Sequence, residues 1–370
     1  DVKKALNCLH ESFFEIETKQ LNLFVMGVGN VGSTLLSQIE KQASYIQNTL
    51  KLKINIVGLS NSKLMAFEDS GIDLSQWQET LALGEKTDPV VFFDKAKALN
   101  LRNSIFVDIT ANATVAETYD LYLKESVAVI ACNKIACSAS YEQYQNLKDL
   151  SRKYKAPFLF ETNVGAGLPV IDTLNHLIAS GDRIRSIHAV LSGSLNFIFN
   201  NFNKSTTFYE IVKQAQKEGY TEPDPRIDLS GTDVARKLLI LARESGYKLD
   251  MSDVFNDGFL PEEALEATTV DDFYALIKSK DEVFKTLLNS ANKNDAKLKY
   301  VASFIDGKAN VGLQEIPSDH PFYNLEGKDN IVMFYTERYK DQPLIIKGAG
   351  AGSEVTASGL FADIIRASNI

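Results

Sequence analysis

Residues Glu218 to Lys237, EGYTEPDPRIDLSGTDVARK, set Glu218, Glu222, Asp224, Asp228 and Asp233 against Arg226, Arg236 and Lys237, with few apolar residues among them. Pro223 and Pro225 stiffen the middle, because each ring fixes its own φ and biases the preceding residue away from helix. Gly231 then opens a helix that carries Asp233 and Lys237 one turn apart on one face. A rigid, carboxylate-rich loop feeding an acid and an amine at i and i+4 suits recognition of a small zwitterion with proton transfer. The same residues could form a solvated surface loop whose ion pair is worth only about a few tenths of a kcal/mol.

A second motif gives a polar site a purpose. Gly27-Val28-Gly29-Asn30-Val31-Gly32 follows the apolar run 21–26 and precedes a segment, 33–39, with helical apolar spacing. A GxGxxG at a strand-to-helix junction is the dinucleotide fingerprint. Gly27 permits the tight turn, Gly29 lets backbone approach a pyrophosphate, and Gly32 allows close helix–strand packing. The free N–H groups of the helix start then face the anion. A second strand, 54–59, ends at Ser60-Asn61-Ser62-Lys63, with no acid before Glu68 to hold a ribose 2′-OH. Hydroxyls, an amide and a lysine tolerate a 2′-phosphate, which favours NADP and leaves NAD use open. Lys63 could equally be a solvated helix-start lysine.

Strands at 105–110, 127–131 and 158–161 alternate with helices, one of them over 113–125. That alternation predicts an α/β, Rossmann-type, doubly wound parallel sheet, with ligands beyond the strand C-termini. Thr110, Ala111 and Lys134 fall at such ends. After Glu161 the class changes to α+β. A second glycine loop, Asn163 to Pro169, leads to strands near 183–191, 297–304, 309–316, 330–336 and 343–346. A third glycine loop, 348–352, precedes a helix over about 354–368 that returns to the nucleotide domain and brings Gly352 near the cofactor. Region 250–295 reads as acidic and helical, without chemistry. The organisation expected is a linker at 1–19, a nucleotide-binding domain at 20–161 and 347–370, a dimerisation region at 162–185 and 305–346, and a substrate domain at 186–304.

The 370 residues, 45% apolar and 24% charged with a net charge of −9, describe a soluble enzyme with two or three domains. No basic block points to nucleic acid or anionic membrane. No apolar run approaches the ~20 residues of a membrane span. Cys8, Cys132 and Cys137 lack disulfide or metal spacing, and no signal peptide is present, which together suggest a cytoplasmic, reducing setting. Histidines 10, 176, 188 and 320 are scattered and make no metal or triad pattern. The chain begins at Asp1 and reads as a piece of something longer.

EGYTEPDPRIDLSGTDVARK, TNVGAGLPV, LSGSLNFIF and GAGAGSEVTASG together resemble homoserine dehydrogenase over about residues 20–370. The opening ALNCLHESFF resembles the linker before the dehydrogenase half of bifunctional aspartokinase–homoserine dehydrogenases, which implies a covalent aspartokinase half upstream. The resemblance implies interconversion of L-homoserine and L-aspartate 4-semialdehyde with NAD(P), on the route to threonine and methionine, in a homodimer. It implies that Glu222 holds the substrate ammonium and that Gly219, Asp228 and Asp233 also bind substrate. Lys237 becomes the proton-transfer lysine, and Lys134 lies by nicotinamide and substrate. Glu161, Val164, Ala166 and Leu168 match a site for a monovalent cation such as sodium or potassium, the last three through backbone carbonyls. Relatives carry Asp at the Glu161 position and a carboxylate where this chain has Ile227.

Alcohol oxidation needs a hydride acceptor and a base. With no obvious histidine, a lysine with a lowered pKa is the candidate. Two rival classes remain. A phosphorylating aldehyde dehydrogenase would need Cys132 or Cys137 as nucleophile near a histidine. A non-catalytic nucleotide sensor would not need Lys237.

Overall fold

The computed structural model describes residues 18–369. The opening motif ALNCLHESFF, and almost all of the expected linker, lie outside the described residues. Two compact units are present, one ending at Gly167 and resuming at Gly352, the other spanning Leu168–Ala351.

The first unit carries β1 (Lys19–Met26), β2 (Leu52–Ser60), β3 (Leu64–Phe67), β4 (Glu85–Lys86), β5 (Ser104–Asp108), β6 (Ala128–Ala131) and β7 (Phe158–Leu159). They form one sheet in the order β4-β3-β2-β1-β5-β6-β7. β2, β1, β5, β6 and β7 run parallel, and β3 and β4 add an antiparallel edge. Met26 pairs with Ser60 on one side and with Asp108 on the other, so three strand ends finish level. Strand order reverses at β1, which puts the crevice of a doubly wound sheet at the Gly27–Gly32 turn.

Alternation explains why both faces are covered. Leu21, Leu23 and Val25 join Leu35, Leu36 and Ile39 of helix Asn30–Asn48, and Ala357, Leu360 and Ile364 of helix Ser353–Ser368, in one buried cluster. Phe24, Phe92, Phe106, Tyr119 and Tyr122 are also buried, with Phe106 and Tyr122 stacked at 4.0 Å.

Two elements differ from the sequence expectation. The helix expected over 113–125 is two short ones, Ala113–Ala116 and Tyr119–Lys124. The break lets the Tyr119 hydroxyl donate to Asp108 at 2.6 Å. The strand expected through Glu161 stops at Leu159, and Glu161–Asn163 forms a 3-10 turn whose first amide donates to Asp363 at 3.0 Å. Residues 162–167 belong with the first unit because helix Ser353–Ser368 passes close by. A Cβ at Gly359 would lie 2.7 Å from Thr162 and 3.0 Å from the Ala166 carbonyl.

In the second unit, β8 (Ile184–Val190), β9 (Val254–Asp257), β10 (Ala296–Ile305), β11 (Lys308–Pro317), β12 (Asp329–Thr336) and β13 (Leu344–Ala349) form a sheet in the order β13-β12-β8-β10-β11-β9. All pairs are antiparallel except β9–β11. β10 and β11 make a hairpin through Asp306 and Gly307, both at positive φ, the conformation that a two-residue hairpin loop favours. β9 lies in the region read as helical, which otherwise contains helices Glu262–Leu265, Val270–Ser279 and Asp281–Lys293.

Candidate active site

The glycine turn is built by close approach. Gly27 has φ +106°, and a Cβ there would lie 2.8 Å from the Ile109 carbonyl. A Cβ at Gly32 would lie 2.4 Å from the Gly27 carbonyl, whereas one at Gly29 would meet nothing within 4 Å. The turn is therefore packed on the protein side and open at Gly29. Helix Asn30–Asn48 starts there with no side-chain cap and no acid in its first turn. Val28 is buried, Asn30 exposed, and Val31 half-buried.

Ser60 sits beneath this turn. Its carbonyl accepts the Gly27 and Val28 amides at 2.8 and 3.0 Å, and its side chain is fully buried. Lys63 is exposed, on a turn fixed by the Asn61 side chain, which accepts the Lys63 and Leu64 amides at 2.8 Å each.

Asp108, unremarked in the sequence, organises the next two strand ends. Fully buried, it accepts the Thr110 amide at 2.7 Å, the Tyr119 hydroxyl at 2.6 Å and the Asn133 amide at 3.1 Å. Burial pushes its carboxyl up, against the lowering by these donors. Asn133 also donates to the Asn112 carbonyl and accepts from the Ile135 amide. One carboxylate thus clamps the loop of Thr110 and Ala111 to the loop of Lys134. Its only sequence signal is an acid inside an otherwise apolar strand. Cys132 shares this strand end, where burial pushes its thiol up and the Lys134 charge offsets this in part. That environment disfavours a thiolate nucleophile.

Around the second glycine loop, Glu161 is buried beside Arg366, at 3.3 Å, and Arg366 also bonds Asp363. Val164 and Ala166 are buried, Ala166 at positive φ. The Leu168 carbonyl accepts the Val170 amide at 2.8 Å. Gly352 has φ +115° and precedes helix Ser353–Ser368.

In the second unit, helix Thr232–Glu244 begins at Gly231 as its sequence predicts. Val234, Leu238 and Leu241 are buried. Lys237 rides the edge of that stripe and is 9% exposed. Its ammonium donates to the Leu191 carbonyl at 2.7 Å and pairs with Asp233 at 2.8 Å, whose side chain is 45% exposed. An amine so placed touches a buried interior on one side and, through Asp233, the solvent on the other.

The acidic loop divides its carboxylates. Asp228 accepts the Glu222 amide at 2.8 Å through Oδ2, and its Oδ1 lies 2.8 Å from the Ser194 hydroxyl. Ser194 is also 2.6 Å from the Tyr220 carbonyl, so its single proton serves one acceptor at a time. Asp224 holds Arg226 through two nitrogens, at 2.8 and 2.6 Å, and the Arg226 donors keep the Asp224 carboxyl below its usual range. The expected rigid loop is in part a short helix, Arg226–Leu229. Gly219, at φ +75°, closes helix Phe208–Lys217, and Tyr220 stacks on Phe197 at 3.9 Å. Glu222 is exposed, held by its backbone. Asp228 and Ser194 therefore shape the loop, while Glu222 is exposed and the Lys237 ammonium is held by Leu191 and Asp233.

The homoserine dehydrogenase family model matches residues 169–365, and the family's NAD binding domain matches residues 27–161. The chain is 42% identical, over 99% of its length, to the chloroplastic bifunctional aspartokinase/homoserine dehydrogenase 2 of Arabidopsis thaliana. It covers 40% of that relative, and so spans about two fifths of the length of the bifunctional plant proteins it matches. The homoserine dehydrogenase of Schizosaccharomyces pombe is 36% identical over 94% of this chain and 95% of its own. A crystal structure of a Candida auris protein of unknown function superposes with a TM-score of 0.87 at 32% identity, covering 95% of this chain and 99% of that one. Matched by both domain descriptions and by a full-length relative at this identity, the chain belongs to the homoserine dehydrogenase family.

Proposed function

We propose that the chain is an NAD(P)-dependent oxidoreductase that interconverts L-homoserine and L-aspartate 4-semialdehyde, serving threonine and methionine synthesis. One observation carries the reading. Lys237, in the segment matched by the family, is buried yet held at its tip by a carbonyl and a half-exposed carboxylate. A surface ion pair would not need that burial.

In the reducing direction the cofactor supplies a hydride to the aldehyde carbon, and the carbonyl oxygen takes a proton as it becomes the alcohol. Lys237 delivers that proton. Asp233 orients the ammonium and returns a proton from water. Glu222, free at its end, meets the substrate ammonium, while Gly219 and Asp228 hold the loop that presents it. The Gly27–Gly32 turn receives the pyrophosphate, Thr110, Ala111 and Lys134 line the nicotinamide side, and Gly352 closes the set. Ser60 supports the turn from below. Lys63, exposed where no acid stands, favours NADP over NAD.

A monovalent cation at Glu161, Val164, Ala166 and Leu168 fits the chemistry of the donors, a buried carboxylate with carbonyl oxygens. Its role would be to fix the second glycine loop. The dimerisation region is proposed at 162–185 and 305–346, where Ile305, Tyr339 and Ile345 are exposed. As a homodimer the chain would follow the usual two-fold rule. A kinase segment upstream is proposed on the names of the bifunctional relatives. No helix of the described residues is long and apolar enough to cross a membrane. Separately, a cytoplasmic location with no nucleic-acid or membrane partner is proposed on the net charge of −9 and the absence of a basic block in the sequence.

The test is oxidation of NADPH with aspartate semialdehyde, compared with NADH. Turnover at least as good with NADPH is expected. Absence of turnover with both would reject the activity, and turnover insensitive to thiol alkylation would exclude the cysteine route.

A further inference from the structure

A carboxylate that meets a substrate ammonium works best when the backbone carrying it is fixed beforehand. The segment Glu222-Pro223-Asp224-Pro225 is already short of freedom. Each ring fixes its own φ, and Glu222 and Asp224, each followed by a proline, are biased to extended backbone. The torsion left soft is ψ of Pro223, which sets where the Pro223 carbonyl points. Rotation there would swing Glu222 against the Asp224–Arg226 pair that follows it.

Gln216 holds that carbonyl. Its Nε2 donates to the Pro223 carbonyl oxygen at 2.7 Å, and its Oε1 accepts from the Tyr274 hydroxyl at 2.9 Å. A carbonyl only accepts, whereas a hydroxyl donates, so the two neighbours fix which way the amide faces. Burial pushes the Tyr274 hydroxyl up to about 12, with Tyr209 and Asp224 adding to it, so the phenol keeps its proton and stays a donor. Tyr274 is itself held in place. It is buried on helix Val270–Ser279, beside the buried Phe273 and Ile277. Its ring meets Tyr209 edge-on at 5.6 Å, and the Lys213 ammonium lies over both rings, 5.2 Å from Tyr274 and 5.6 Å from Tyr209. Tyr209, Lys213 and Gln216 all ride helix Phe208–Lys217. A second tie reaches the same region, because Arg226 also donates to the Ala267 carbonyl. Residues 250–295, whose sequence carries no chemistry of its own, thus brace the acidic loop at two points.

We infer that Gln216 is a positioning residue for the reaction: braced by Tyr274, it fixes Pro223 so that the Glu222 carboxylate stands ready for the substrate ammonium. This rests on the Glu222 role in the proposed function. Asp228 holds the Glu222 amide and Gln216 holds the Pro223 carbonyl, so the residue that meets substrate is pinned on both flanks while its side chain stays exposed.

Gln216→Met in the full chain removes the donor and keeps length and helix propensity, so the fold is retained. Homoserine KM should rise about two- to fivefold, for the loss of one hydrogen bond, with kcat and NADPH affinity unchanged. Tyr274→Phe should raise KM in the same sense. In a Glu222→Gln background Gln216→Met should add nothing, because a residue that acts only through Glu222 has nothing left to position. Hydrogen exchange of the peptide over 219–228 should be faster in Gln216→Met, with the rest of the chain unchanged. Wild-type KM and exchange in Gln216→Met would overturn the inference, as would a KM loss that adds in full to that of Glu222→Gln. Faster exchange with wild-type KM in both Gln216→Met and Glu222→Gln would overturn the Glu222 role itself. A wild-type protein without aspartate semialdehyde reduction would instead defeat the underlying activity.

Discussion

The Gly27–Gly32 turn and the Glu218–Lys237 segment both prepare the protein to hold a charged ligand, but with different materials. The turn uses backbone: its glycines exist to let main chain pass within contact distance of main chain, and its helix start offers uncapped N–H groups. The acidic segment uses side chains, and most of those are already engaged with one another. Asp228 is bound to the Glu222 amide and lies by Ser194, and Asp224 is bound to Arg226. A backbone site tolerates change at its exposed side chains and fails when a Cβ is added. A side-chain site should fail at the few free ends and resist, or merely soften, elsewhere.

The largest expected break is on the side-chain side. Lys237→Met should lower kcat by about 10²–10⁴ while leaving NADPH binding intact. A surface pair would give almost no kinetic change and a stability loss under about 1 kcal/mol. Near wild-type kcat from pH 6 to 9 would remove Lys237 from the chemistry.

Lys299 shows what another buried lysine of the same unit does. It is fully buried, and its ammonium donates to Asn196 at 2.8 Å, Asn200 at 2.5 Å and the Leu325 carbonyl at 2.7 Å. These bonds tie β10 to helix Gly193–Asn201, which carries Ser194 to the acidic loop. Lys299→Met should cost about 2–4 kcal/mol by leaving three acceptors unpaired. Burial first, with the Lys297 and Lys347 charges, brings the Lys299 amine down to about 8. The folded state therefore releases its proton more readily than the unfolded state. Wild-type stability should rise relative to Lys299→Met from about pH 8 to the ordinary lysine range near 10.5, and the difference should be level below about 8, where both states hold the proton. A pH-independent difference in denaturant midpoint would contradict that.

On the backbone side, Gly27→Ala should destabilise the first unit by about 1–3 kcal/mol, from strain at positive φ, and weaken NADPH binding while homoserine recognition persists. Thermal unfolding with and without NADPH would show it. Equal Tm shifts on adding NADPH in both proteins would mean that the turn is structural only.

This difference also decides what can be read before folding. Glycine positions report backbone conformation directly, so Gly27, Gly29 and Gly32, the strand before them and the helix after them were legible from residue type. So were the Gly231 cap and the Asp233–Lys237 pairing, both set within one turn. The division of labour among Glu222, Asp224 and Asp228 was not, because it depends on Ser194, which lies 34 residues before Asp228 in the chain. Asp108 escaped notice for the same reason. It is the one acid of β5, and only the Thr110, Tyr119 and Asn133 donors that the fold brings to it give it meaning. The short strands β4 and β9 carry too few residues for any periodicity.

Glu222→Gln tests the free end of the acidic loop. The backbone hold on Asp228 is kept and one charge is lost, so homoserine KM should rise about tenfold, near 1.4 kcal/mol, with kcat little changed. An unchanged KM would return Glu222 to the surface.

The smallest effect belongs to Lys63, where a side chain assists the backbone site. It is exposed, on a turn whose shape is set by Asn61 and not by the lysine itself. Replacing it should therefore leave the fold alone. Lys63→Glu turns attraction to a 2′-phosphate into repulsion, and an exposed pair at contact is worth about 1 kcal/mol in water. NADPH KM should rise about three- to tenfold, with NADH KM unchanged, and the difference should shrink as salt is raised toward 1 M, where screening reaches about 3 Å. Because NADH lacks the phosphate, any distortion of the turn would appear with both cofactors. Equal losses, or a loss that ignores salt, would show that Lys63 does not read that phosphate and that cofactor choice rests on the backbone of the turn.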